Sequence, residues 1–303
     1  MKLALVLPGQ GFQRLGLLAP FGKYSQISEV LTQIDETLPD LRLSRALMHA
    51  DADLDVQPTS IAQPLILAAS YAMYSTLKPQ LEEHDVEYVL GHSLGEFTAY
   101  VIAGALDFPT ALKLVRARGL AMQRATPENN TGMRLVIKKR GVEGFDEKLA
   151  LAAEKHNVDI ANYNSADRTV LAGALADLDA TVSELGRIAS QPLNVSGAFH
   201  SRYMKPAQGE LAELVAKAPF TLPTSPHIIS NLTAKPYESV QEIRKACVDA
   251  LVEPVLWKQS LQYTAPRVDG IVSLGPGRIG KLTMGEYKQP TWYYENGEPF
   301  SAV

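Results

Sequence analysis

One cysteine, Cys247, in 303 residues leaves no partner for an internal disulfide and fits a reducing compartment. No apolar run approaches the roughly 20 residues that cross a bilayer, so no membrane association is expected. Metal-ligand spacings and a P-loop are missing too. The first loop, LPGQGFQ, has Gly9 and Gly11 but Arg14 where a dinucleotide fingerprint needs its third glycine. Neither a cofactor nor a metal is therefore expected. Repeats and low-complexity tracts are also lacking, and a formal charge of −4 argues against bulk nucleic-acid binding, though a local basic patch could dock an acidic partner. What remains, 46% hydrophobic and 20% charged residues, is the composition of a soluble globular chain. Met1-Lys2 leads at once into LALVLP, too short for a signal-peptide core and better read as a buried strand. The expected location is the cytoplasm, with an organellar matrix the alternative if a presequence is removed, and the default state is a monomer.

Short apolar runs alternate with stretches of helical period, which predicts an α/β fold with a mainly parallel sheet. Core strands are expected at 2–7, 86–90, 226–230 and 269–274, with helices near 22–37 and 61–77. After Ser93 two helical segments follow, split by the start signals Asp107 and Pro109. From 131 to 199 the grain changes to β-α-β-β-α-β, a ferredoxin-like order whose last strand is expected in PLNVSGAF. The reading is thus a core made of 1–130 and 200–303, with 131–199 as an inserted subdomain. The aromatic tail from 285 is expected to pack on the surface.

Gly91-x-Ser93-x-Gly95 follows the strand-like Val86–Leu90 and precedes a helical run. That context suits a nucleophile presented on a strand-to-helix turn, with the helix N-terminus favouring a developing oxyanion. An ordinary Gly-Ser turn is the alternative. Glu96 is read as an acid that suits the first helical turn.

A serine hydroxyl needs a general base. Of six histidines, His200 ends the apolar LNVSGAF and can project toward a cleft, while His84 and His156 sit among charges at helix ends. A satisfied histidine without a chemical role fits His200 equally well. On the helix from 108 to 125, Arg118 shares its face with Ala111, Leu114, Val115, Ala121 and Met122. An inward arginine requires an anion, either an internal carboxylate or that of a ligand, and by itself the spacing favours the internal pair.

In their order along the chain, LPGQG (7–11), AQP (62–64), GHSLGE (91–96), VRARGLAMQ (115–123), NYNSADRTVLAG (162–173), GAFHS (197–201), EPVLW (253–257) and LGPG (274–277) resemble the motifs of the malonyl-CoA:acyl carrier protein transacylases and of the related acyltransferase domains of polyketide synthases. The resemblance covers about residues 3 to 282. It implies an α/β-hydrolase-like core with an inserted ferredoxin-like subdomain, and an enzyme using malonyl-CoA and an acyl carrier protein.

The resemblance also implies roles. Ser93 would be acylated and His200 would act as base and acid. The backbone N–H groups of Gln10 and Leu94 would form the oxyanion hole, and Arg118 would bind the malonyl carboxylate. Gln63, His92, Asn162 and Phe199 would line the pocket, Phe199 disfavouring an α-methyl branch. A backbone carbonyl would orient the histidine. Its position here is Ala250, where the family usually carries glutamine. The carrier would dock on a basic patch, for which Arg187, Arg202, Lys205, Arg278 and Lys281 are candidates. A thioesterase or acyl hydrolase on the same scaffold is the competing enzyme class. A noncatalytic carrier-docking protein is the third reading.

Overall fold

Leu3–Leu7 is apolar without alternation, the pattern of a strand covered on both faces of a parallel sheet. In the computed structural model it forms β1 (Lys2–Leu7), fully buried after its first residue. The structure describes residues 1–126, 130–138, 144–186, 188–277, 279 and 287–295. Helices α1 (Ser25–Thr37), α2 (Leu43–Met48) and α3 (Thr59–Leu81) precede β2 (Asp85–Gly91), α4 (Gly95–Ile102) and α5 (Phe108–Ala125). Next come β3 (Thr131–Ile137), α6 (Phe145–Lys155), β4 (Asp159–Tyr163), β5 (Arg168–Ala174), α7 (Leu175–Leu185) and β6 (Ala189–Pro192). The chain ends with α8 (Lys205–Lys217), β7 (His227–Ile229), α9 (Val240–Asp249), α10 (Trp257–Thr264), β8 (Gly270–Leu274) and β9 (Thr291–Tyr294).

The large sheet is parallel throughout, in the order β7-β2-β1-β8-β9. Strand order reverses about β1, and the carboxyl ends of strands beside such a point open a crevice where ligands bind in α/β folds. The loops after β1 and β2 both emerge there. Strand β9 corrects the expectation for the tail. Its residues pair with Ile271–Leu274, and Tyr294 is buried with its hydroxyl 3.0 Å from Thr76 Oγ1.

Helix α5 begins at Asp107, whose Oδ1 accepts the Thr110 N–H at 2.8 Å. Gly119 lets it press on α3, because a Cβ there would lie 2.6 Å from Ser60 Cα. This close approach sets Arg118 against Gln63.

The small sheet is antiparallel, in the order β4-β5-β3-β6. One face carries Val136 and Leu171 into a core shared with Phe145 and Leu149 of α6 and Leu178 of α7. The opposite face, with Met133, Val170 and Ala172, joins the main core. The last strand lies at Ala189–Pro192 rather than in PLNVSGAF. Leu193 still donates its N–H to Met133 O at 2.9 Å, but residues 194–199 form no ladder, and His200 at φ 55° could not continue a strand. Strand β4 is tied to the segment before α10 through Val255, which shares a core cluster with Val6 and Leu90 of the large sheet; its N–H donates to Ala161 O at 2.8 Å and its carbonyl accepts the Tyr163 N–H at 2.9 Å. Among the described residues no helix is long and apolar enough to cross a membrane.

Candidate active site

Ser93 sits where β2 turns into α4, with φ 51°, in the left-handed region that side chains rarely adopt. The flanking glycines make the turn possible by closeness alone. A Cβ on Gly91 would fall 1.8 Å from Gly95 C, and one on Gly95 would lie 2.7 Å from the carbonyl oxygens of Leu7 and Pro8. The bend is held by Asn231, which follows β7. Its Oδ1 accepts the Ser93 N–H at 2.8 Å and its Nδ2 donates to Gly91 O at 2.7 Å. One side-chain amide thus spans the turn.

Glu96 does more than suit the helix dipole. It is buried, and its Oε1 accepts both the Asn231 N–H at 3.0 Å and the Tyr237 hydroxyl at 2.6 Å. Burial raises its pKa to about 7 against the opposing pull of these donors and of Arg118.

The Ser93 hydroxyl lies 2.7 Å from His200 Nε2, and His200 Nδ1–H donates to Ala250 O at 2.6 Å. That second bond fixes the tautomer, leaving Nε2 as the acceptor facing the serine. Alanine at 250 costs nothing here, since only its carbonyl is used. Burial, then the positive charge of Arg118, then His92, pull the His200 pKa down to about 3. The imidazole is therefore a neutral acceptor at any ordinary pH.

Behind the serine lies Arg118, 3% exposed, with Nη2 3.5 Å from Ser93 Oγ and Nη1 donating to Gln63 Oε1 at 2.7 Å. Among the described residues no carboxylate forms an ion pair with it, and its Nε–H has no acceptor. The internal pair favoured by spacing alone is thus not formed. Burial lowers its pKa to about 10, which still leaves it charged at neutral pH. Gln63 Nε2 donates in turn to Thr59 Oγ1 at 2.9 Å, and that hydroxyl donates to Gln10 Oε1 at 2.7 Å. The arginine is so connected to the loop after β1. The N–H groups of Gln10 and Leu94 have no acceptor among the described residues, whereas those of His92, Ser93, Gly95 and Glu96 are all taken.

Ser93 and His200 open onto a cavity of about 620 Å³ that Gln10, His92, Asn162 and Phe199 also line. His92 is oriented by Asn164, whose Oδ1 accepts its Nε2–H at 2.8 Å, and burial lowers its pKa. Of the sequence-proposed site residues, Ser93, His200, Gln10, His92, Asn162 and Phe199 line one cavity, Arg118 and Gln63 lie behind the serine, Leu94 follows it, and Ala250 lies behind the histidine. Asn231, Asn164 and Tyr237 went unread, since their partners lie on distant segments. Of the basic-patch candidates, Arg202 is engaged with Asp159 at 2.7 Å and Lys205 is exposed. Arg187, Arg278 and Lys281 lie outside the described residues.

Comparison with known proteins gives the context of this site. The model of the acyl transferase domain family matches residues 5–276. A malonyl CoA-acyl carrier protein transacylase of Haemophilus influenzae is 35% identical over 290 residues, spanning 92% of this chain and 89% of the relative. The crystal structure of an acyl carrier protein S-malonyltransferase from Vibrio cholerae superposes with a TM-score of 0.89 at 30% identity, covering 98% of this chain and 97% of that one. A malonyl-transacylase solved in complex with its type II PKS acyl-carrier protein gives a TM-score of 0.87 at 29% identity over 98% and 96% of the two chains.

Two predictions follow from the geometry. A base whose pKa is lowered keeps its neutral form to lower pH. Imidazole ¹⁵N spectra should then show His200 with one protonated and one bare nitrogen from pH 8 down to about 4. A doubly protonated ring appearing near pH 6.5 would contradict the depressed value. As pH falls from 6.5 toward 3 the unfolded chain takes up a proton the fold refuses, so this ring progressively lowers stability. Second, Asn231→Ala strands a buried donor and a buried carbonyl, costing about 2–4 kcal/mol in denaturant unfolding. It should also slow Ser93 labelling by a fluorophosphonate at least roughly tenfold, the free-energy scale of one misplaced nucleophile contact; unchanged labelling would show that the turn holds without the amide.

Proposed function

The chain belongs to the acyl transferase domain family, and on that premise we propose that it moves a malonyl group from coenzyme A to the phosphopantetheine thiol of an acyl carrier protein, through a malonyl-Ser93 ester. The observation that carries the choice of acyl group is Arg118, a buried guanidinium beside the nucleophile that no carboxylate among the described residues neutralises. A malonyl thioester supplies that carboxylate. The names of the relatives point the same way.

In the first half-reaction Ser93 Oγ attacks the thioester carbonyl as His200 Nε2 takes its proton. The oxyanion forms toward the free N–H groups of Gln10 and Leu94, and preorganised donors of this kind are the largest single term in acyl-transfer catalysis. The C–S bond then breaks, and the proton held by His200 passes to the departing sulfur. In the second half the carrier's thiol gives its proton to the same nitrogen, attacks the ester, and Ser93 Oγ recovers a proton as it leaves. The Ala250 carbonyl keeps Nδ1–H engaged throughout, so Nε2 alone exchanges protons.

Each charge-assisted hydrogen bond from Arg118 to the malonyl carboxylate contributes about 1.5–3 kcal/mol, and an acetyl group would leave the fork unpaired. Discrimination against acetyl-CoA of roughly a hundredfold or more is the consequence. Phe199 lines the cavity, and its ring supports malonyl over a branched methylmalonyl group. Coenzyme A enters as substrate, and the proposed chemistry calls on no cofactor. Lys205, exposed three residues after the Arg202–Asp159 pair, is a described cation open to an acidic carrier.

Intact-mass measurement after mixing with malonyl-CoA should reveal a malonyl adduct that Ser93→Ala lacks and that holo-carrier protein removes with the malonyl group transferred to it. Loss of the adduct to water at the same rate without carrier would instead establish a hydrolase, and no adduct a noncatalytic protein. Arg118→Ala should lower malonyl transfer about a hundredfold or more while narrowing the preference over acetyl-CoA. A preserved malonyl preference would refute the carboxylate role.

A further inference from the structure

The small sheet turns its two faces to different tasks, and its cations divide accordingly. On the helix side Arg134 pairs with Asp179 of α7, and Lys138 with Asp146 of α6. The other face alternates with this one, as strand geometry requires. It presents Met133, Leu135 and Ile137 of β3 and Val170 of β5 to the cavity that holds Ser93 and His200. Arg168 belongs to that cavity-facing set and pairs across the ladder with Ile137.

Arg168 is half-buried, and among the described residues no carboxylate pairs with its guanidinium. The neighbouring Asp167 is turned to Ser165, whose hydroxyl donates to its Oδ1 at 2.6 Å. The residue is also fixed relative to the nucleophile. Its carbonyl accepts the Asn164 N–H at 3.0 Å, and Asn164 Oδ1 holds His92, the neighbour of Ser93.

At and behind the cavity there are thus two guanidinium groups that no carboxylate among the described residues pairs. Arg118 is sealed behind the serine, while Arg168 stands on the wall, partly open to solvent. A malonyl thioester of coenzyme A carries its negative charge in two places: the acyl carboxylate, and the phosphates beyond the pantetheine arm. With the carboxylate at Arg118, the chemistry left for the second cation is a phosphate. Guanidinium matches phosphate oxygens as a two-pronged donor.

Resting on the malonyl-transfer reading above, we propose that Arg168 binds the phosphate next to the pantetheine arm. That phosphate is common to both thiols: in coenzyme A it begins the pyrophosphate, and in the carrier it links the arm to the protein. One wall-mounted cation then serves donor and acceptor in turn, and holds each arm so that its sulfur end reaches Ser93. Asn162 and Gln191 on the same wall offer amide groups to the arm between these ends. The role of Arg168 is binding, felt in KM more than in kcat.

The test compares donors with and without the phosphate. Initial rates of Ser93 malonylation are measured with malonyl-CoA and with malonyl-pantetheine, for the wild type, Arg168→Gln and Arg168→Lys. Arg168→Gln should lose about five- to tenfold more on malonyl-CoA than on malonyl-pantetheine, chiefly through KM, a size set by one partly solvated charge-assisted pair. Arg168→Lys should recover much of that difference, and it should shrink as salt is raised. Equal losses on both donors, or no loss on either, would overturn the assignment. If the wild type forms no malonyl-Ser93 from either donor, the function proposed above fails instead. A wild type that malonylates normally while Arg168→Gln spares the phosphate preference removes this inference alone.

Discussion

The buried guanidinium of Arg118 sets the terms for everything around it. A cation taken from water is costly unless it finds an anion, and a site that keeps one uncompensated must be held by the surrounding fold. Here α5 is pressed on α3 at Gly119, Gln63 accepts one arm of the fork, and Thr59 and Gln10 extend that contact to the loop after β1. The same charge acts on the titrating neighbours. It adds to burial in keeping His200 neutral and opposes burial in drawing a proton from Glu96. An acyl carboxylate arriving at Arg118 cancels that field, so the base gains proton affinity when the substrate is in place.

Around this charge the serine turn is over-determined. Ser93 and His200 both adopt left-handed backbone, and each strained residue is anchored by a bond to a distant segment: Ser93 by Asn231, His200 by Ala250. Asn231 is in turn bound to Glu96 on the helix that the turn starts. Such closed circuits allow strain of order 1–3 kcal/mol per residue to persist in a stable fold.

The parts of this site legible in the sequence are those with a local signature. The glycines around Ser93 mark the turn, the spacing of Arg118 marks an inward face, and strand-helix alternation marks the sheet. Asn231 and Glu96 carry no such mark: an asparagine after a strand and a glutamate in a first helical turn are common, and their meaning comes only when segments more than 130 residues apart meet. The carbonyl of Ala250 has no residue-type signature at all and became visible only through resemblance. Residues 193–199 misled as a strand because their apolar content serves tertiary burial; Gly197 there lies so close to Thr126 that a Cβ would fall 2.4 Å from its hydroxyl. Strand β9 escaped notice because a parallel edge strand depends on a partner that ends 17 residues earlier.

The weakness of His200 as a base bears on the choice between thiol and water. Among the described residues no carboxylate supports its Nδ1–H, only a carbonyl, and burial, which persists when the acyl group is in place, lowers the ring's proton affinity. A thiol ionises near pH 8.5 and bulk water near 15.7, so a weak acceptor meets a far smaller deficit with the thiol. The departing group is the same serine oxygen in both cases, which leaves the nucleophile as the deciding term. A neutral imidazole held by a backbone carbonyl therefore favours a thiol over water as the acceptor of the acyl group. Low basicity at His200 thus weighs against water as the acceptor.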